Sequence, residues 1–84
     1  MTRRLVTATV TSTSGYVALL CNPAEEWSPR SVRDAVLDIE LGSCSYFVVV
    51  EHRQAEVHTL QDSGGTYLGA HAGGTDDNLL LDLR

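Results

Sequence analysis

The chain has 84 residues, of which 43 % are hydrophobic and 20 % charged, the composition of a folded globular domain and not of a disordered chain. That length suits one domain spanning residues 1–84 and argues against a deep catalytic cavity, since a chain this short buries only roughly 60 % of its unfolded surface. Eleven acids against six arginines, with no lysine, leave a formal charge of -5, which disfavours nucleic-acid backbones, where Lys and Arg neutralise phosphates.

Leu5, Val6, Ala8 and Val10 lie among threonines in one β-branched segment that predicts a strand, closed by the turn formers Ser12-Thr13-Ser14-Gly15. Tyr16 to Cys21 predicts the second arm of an antiparallel hairpin, ended by Asn22-Pro23 because proline lacks a ladder donor. Ser28-Pro29-Arg30-Ser31 predicts a helix start with Ser28 as N-cap and Pro29 at the first helical position. Val32, Ala35, Val36 and Ile39 then form one apolar stripe, with Arg30, Arg33, Asp34, Asp38 and Glu40 largely on the remaining surface, and Gly42 supplies a left-handed closure.

Tyr46-Phe47-Val48-Val49-Val50 is apolar on both faces and predicts a central strand. Ala55 to Leu60 alternates, with Ala55 and Val57 inward and Glu56 and His58 in water, and so predicts the return arm of a hairpin turning near His52-Arg53-Gln54. Thr66-Tyr67-Leu68 is a short strand between two Gly-rich loops, Asp62 to Gly65 and Ala72 to Asp77. Of the closing Leu79, Leu80, Leu81 and Leu83, at least two are expected to pack on the core, leaving Asp82 and Arg84 wet. The order ββαββ(β) predicts an α+β fold, a small antiparallel sheet packed against one helix.

Several landmarks coincide with a family pattern: Trp27-Ser28-Pro29-Arg30-Ser31, then Asp38-Ile39-Glu40-Leu41-Gly42 followed by Tyr46-Phe47-Val48-Val49, then Gly65-Thr66-Tyr67-Leu68 with Asp77-Asn78-Leu79-Leu80. Over nearly its whole length the chain resembles domain-of-unknown-function family 3892, small uncharacterised bacterial proteins. The resemblance implies a fold and no activity. Gly69-Ala70 and Leu83-Arg84 stand where the family commonly has Arg-Thr and Leu-Pro, so a role carried by that arginine is lost or moved here.

No residue pattern predicts chemistry. Cys44 follows a helix C-terminus, whose partial negative charge opposes a thiolate, and Cys21 has no charged residue within three positions; both read as buried free thiols. Cys21, Cys44, His52, His58 and His71 lack metal-ligand spacing, and the adjacent pairs Glu25-Glu26 and Asp76-Asp77 diverge on an extended chain. Gly64-Gly65 and Gly73-Gly74 have no phosphate-loop spacing. No catalytic, cofactor or metal residue is therefore predicted.

No apolar run approaches the roughly 18 residues of a membrane span, and Arg3-Arg4 leads into threonines instead of a signal core, so a cytoplasmic chain away from the membrane is expected. The expected function is a non-catalytic protein-interaction or regulatory module, bound to another protein or to copies of itself. Its candidate surface residues are Trp27, Tyr67, Asn78, Leu79 and Leu80, although Trp27 also fits a staple on the first helical turn. The alternative is nucleic-acid binding through the sheet face or through Arg3, Arg4, Arg30 and Arg33.

Overall fold

The computed structural model describes residues 2–71 and 78–83. The expectations placed on residues 72–77, on Arg84 and on the side chain of Asp82 lie outside the described residues. The fold is α+β. Alternation predicts one first strand, but the chain forms two, β1 (Thr2–Leu5) and β2 (Ala8–Thr11), in different sheets. Between them it turns a corner: the Val6 amide donates to Phe47 O and the Thr7 amide to Cys21 O, each at 2.9 Å. Val6, buried in that corner, belongs to the core.

β2 pairs antiparallel with β3 (Val17–Cys21), with a bulge between Val10 and Thr11, so the predicted hairpin forms. A two-residue strand β4 (Arg30–Ser31) then pairs with β3 and completes a three-stranded sheet. This pairing delays the helix relative to the sequence prediction. The N-cap is Ser31, whose hydroxyl accepts from the Asp34 amide at 3.1 Å, and α1 runs Val32–Leu41. Ser28 caps a turn instead, its hydroxyl accepting from the Asn22 amide at 2.9 Å. Gly42 closes the helix as predicted, at φ 73°, where its own amide and that of Ser43 bond back to Ile39 and Asp38 carbonyls.

Strand β5 (Cys44–Val50) lies inside a four-stranded sheet of order β1-β5-β6-β7, with β6 at Arg53–Asp62 and β7 at Gly65–Ala70. β5, β6 and β7 are antiparallel, but β1 runs parallel to β5. The sheet is therefore mixed, because residues 6–43, with their own three strands and α1, make the long crossover a parallel pair needs. Helix residue Ala35 and strand residues Tyr46, Val48, Ala55 and Val57 meet in one core, with Val32, Val36 and Ile39 packed against it.

The chain returns to that core in a 3-10 turn, Leu79–Asp82. Leu79 and Leu80 are fully buried and Leu81 is exposed. Asn78 anchors the turn: its Oδ1 accepts from the amides of Ala70 at 3.0 Å and Leu80 at 3.1 Å, and its Nδ2 donates to Leu68 O at 3.4 Å. One side-chain amide thus pairs with β7 as a peptide group of another strand would, covering part of an open edge. Thr9 Oγ1 donates to Leu80 O at 3.0 Å and ties the turn to the other sheet.

Candidate functional site: the cleft at the edge of β1

Asn22 starts the turn that follows β3 and is itself buried. Its Oδ1 accepts from the Ala24 amide at 3.2 Å, and its Nδ2 donates to Leu5 O at 3.0 Å. The turn thereby stands as a wall beside β1 and encloses an open cleft of about 920 Å³. Arg3, Leu5 and Phe47 line it from one face of the sheet, and Arg4, Arg30 and Trp27 line it from the other. The chain is too short for a deep pocket, and this groove forms instead where two sheets diverge.

Beneath the cleft Arg4, Tyr46, Asp38 and Arg30 form a continuous network. Arg30 donates to both carboxylate oxygens of Asp38, from Nε at 3.0 Å and Nη2 at 2.9 Å. The Tyr46 hydroxyl donates to Asp38 Oδ2 at 2.5 Å and accepts from Arg4 Nη1 at 2.9 Å. The Arg4 guanidinium lies 5.6 Å from the Trp27 ring centroid and 5.7 Å from that of Tyr46, and the two rings meet edge-on at 5.7 Å. Cation–π contact and hydrogen bonds together fix the direction of a long, otherwise mobile side chain.

Burial pushes the Asp38 carboxyl up, but the bonds from Arg30 and Tyr46 and the charges of both arginines outweigh it and hold it below the ordinary carboxylate range. Burial, reinforced by the bond to Asp38, raises the Tyr46 phenol. The bond to Asp38 raises the Arg30 guanidinium against an opposing desolvation effect. Asp38 is thus a carboxylate shared by two guanidinium groups, and the floor carries one uncompensated positive charge. Arg3, by contrast, pairs with Glu56 on the outer face, its guanidinium 4.2 Å above the Phe47 ring. Glu25 and Glu26 stand exposed on the wall.

The backbone of β1 contributes as well. The Val6 amide points to β5, and successive residues of a strand direct their N–H and C=O groups to opposite sides. Arg4 therefore faces β5, whereas Arg3 and Leu5 face the cleft, as the bond from Asn22 to Leu5 O independently requires. Among the described residues β1 is the outermost strand on this side of the sheet, and its exposed ladder opens into the cleft.

Of the residues singled out from sequence, Trp27 is in this site, half-buried against Tyr46 and not simply a staple on α1. Arg3, Arg4 and Arg30 converge there, while Arg33 lies elsewhere, beside Val36 and Leu37. Asp38, expected on the outer helix surface, is the centre of the network with a side chain only 13 % exposed. Tyr67 packs at a tilt against Tyr16, ring centroids 5.3 Å apart, in a separate groove, where the Tyr16 hydroxyl bonds to Asp62 at 2.5 Å. That bond raises the Tyr16 phenol and, with the Gly64 amide, lowers the Asp62 carboxyl. Leu79 and Leu80 are buried in the fold itself and offer no free surface, and Asn78, half-buried, spends its amide on holding the turn to β7.

His58, expected in water, is half-buried with its ring 5.4 Å from that of His71. Cys21 and Cys44 are free and half-buried, not fully buried as expected. Among the described residues no group of three or more His, Cys, Asp or Glu side chains could hold a metal ion, and no helix is long and apolar enough to cross a membrane. No family model matches the chain, and neither a curated protein nor a solved structure matches it.

Proposed function

We propose that the chain is a non-catalytic protein-interaction module that engages its partner through the cleft beside β1. The single observation carrying this reading is the coincidence of an open strand edge with two guanidinium groups whose directions are already fixed by Asp38 and Tyr46. Preorganised donors beside an unpaired backbone lower the ordering cost of binding. Membership of domain-of-unknown-function family 3892 belongs to the same proposal: Trp27, Asp38 and Tyr46, which carry the resemblance, are the residues that build the cleft floor.

The convergence of Arg3, Arg4 and Arg30 favours nucleic acid as a second reading, but Glu56 and Asp38 together leave only one net positive charge among the three, and Glu25 and Glu26 repel a polyphosphate chain at the mouth. Ala24, exposed on the wall, offers a test that leaves the network untouched. A protein captured from native lysate by the immobilised chain should be retained by Leu37→Asp, on the far face of α1, and lost by Ala24→Trp, which fills the cleft. Retention by Ala24→Trp with loss in Leu37→Asp would move the surface to the helix. A strictly monomeric chain capturing nothing, or binding oligonucleotides in a salt-sensitive way that Ala24→Trp abolishes, would refute the protein-interaction reading.

A further inference from the structure

The geometry points to a specific mode and ligand class for this cleft, resting on the interaction reading above: an extended peptide segment of another protein, carrying one carboxylate side chain, adds as a fifth strand to the free edge of β1. Strand addition needs outward backbone groups, which Arg3 presents through its N–H and C=O and Leu5 through its N–H, the Leu5 carbonyl being held by Asn22 Nδ2, and room on both sides of the sheet for alternating side chains. The cleft supplies that room, because its lining comes from both faces of β1: Arg3, Leu5 and Phe47 on one, Arg4, Arg30 and Trp27 on the other. A groove on one face alone would not receive a pleated strand.

Charge selects the side chain. On the inner face two guanidinium groups share the single carboxylate of Asp38, and Arg4 spends only Nη1 on Tyr46 while Arg30 bonds Asp38 through Nε and Nη2. The remaining N–H donors of both arginines can receive a second carboxylate. Glu25 and Glu26 on the wall make a polyacidic segment unfavourable, so one carboxylate among neutral, β-branched neighbours fits best. The same charges disfavour a second copy of the chain as the occupant, because antiparallel self-pairing through Arg3 opposes either Arg3 to Arg3 or Arg4 to Arg4 of the other copy, according to register.

Arg3 provides the decisive substitution. Its amide points away from β5, so Arg3→Pro removes an outward donor and blocks strand addition while keeping the ladder to β5. Arg3→Gln keeps that amide and gives up the guanidinium together with its contacts to Glu56 and Phe47, so it reports the side-chain loss that Arg3→Pro also carries. A random hexapeptide display library selected on the immobilised full chain should enrich sequences with a single Asp or Glu flanked by Val, Ile or Thr. A selected peptide should bind Arg3→Pro at least tenfold more weakly than the parent and Arg3→Gln within about threefold, with thermal melts confirming that both variants fold. Its Glu→Gln or Asp→Asn counterpart should lose a comparable factor.

Equal binding to the parent and Arg3→Pro would overturn strand addition, as would a basic, polyacidic or proline-rich consensus or no enrichment over the Arg3→Pro chain. A concentration-dependent dimer abolished by Arg3→Pro would assign the edge to a second copy instead. If peptides fail while Ala24→Trp still abolishes capture of a protein partner, the interaction reading stands and only the strand-addition mode falls.

Discussion

A chain ending at residue 77 is expected to lose its cooperative thermal transition, and Leu80→Ala to melt well below the parent. Leu79 and Leu80 are 0 % exposed and reach β2, β5 and β7 at once. Burying such a leucine contributes roughly 2 to 5 kcal/mol by the usual truncation range, and an 84-residue chain stands only roughly 4 to 12 kcal/mol above its unfolded state. The truncation also frees the buried Ala70 amide that Asn78 satisfies. For a domain of this size about 1 kcal/mol corresponds to roughly 4 to 8 °C, so Leu80→Ala should lower Tm by more than about 8 °C. Circular dichroism melts at matched concentration check both variants. An unchanged Tm would show that the tail rests on the domain without supporting it.

The second large effect is expected at Asp38. Asp38→Asn leaves Arg4 and Arg30 as neighbouring cations without their shared counter-charge, at side-chain exposures of only 21 % and 33 %. Breaking a fully buried pair costs roughly 3 to 5 kcal/mol; partial exposure here reduces that to about 2 kcal/mol. The pH dependence has a definite sign. Because folding depresses the Asp38 carboxyl, its stabilisation is fully present above the unfolded carboxylate range, near pH 4, and is lost as pH falls through the lower folded value. Urea midpoints of parent and Asp38→Asn should therefore differ clearly at pH 7 and converge as the pH falls below the ordinary carboxylate range. A gap that persists unchanged into acid, or no gap at pH 7, would contradict the role given to this carboxylate.

Much of the fold is legible in local sequence where local forces decide it. The stripe Val32, Ala35, Val36 and Ile39 and the Gly42 closure identify α1 because periodicity and a left-handed cap are local properties. The burial of Tyr46 and Val48 follows from a strand apolar on both faces. The errors occur where distant partners override local preference. Ser28-Pro29 carries a helix-start pattern, but the Ser28 hydroxyl is taken by the Asn22 amide, and Arg30 and Ser31 by β3. Threonine-rich alternation continues through Val6 and Thr7, and nothing in that pattern marks the point where β5 hands the chain over to β3.

The cleft was less legible for a related reason. Arg4 stands 42 residues from Tyr46, and only the parallel pairing of β1 with β5 brings them together. Asp38 reads as an outer helix residue because helical periodicity says nothing about a cation arriving from the preceding strand. The one available signal was the placing of the polar groups of Asp38 and Tyr46 directly beside the apolar positions of α1 and β5. Polar groups set beside a core call for partners, and here the partners are the arginines.

Residue-resolved amide exchange in β1, with and without the captured partner protein, tests the central claim most directly. In the free chain the amides of Arg4 and Val6 should be protected by β5, while those of Arg3 and Leu5 exchange rapidly into the cleft. Partner binding should slow Arg3 and Leu5 and leave Arg4 and Val6 unchanged. Unaltered exchange at Arg3 and Leu5, with new protection at Leu37 and Leu41 of α1 or around Tyr16 and Tyr67, would place the partner elsewhere and contradict a cleft-centred site.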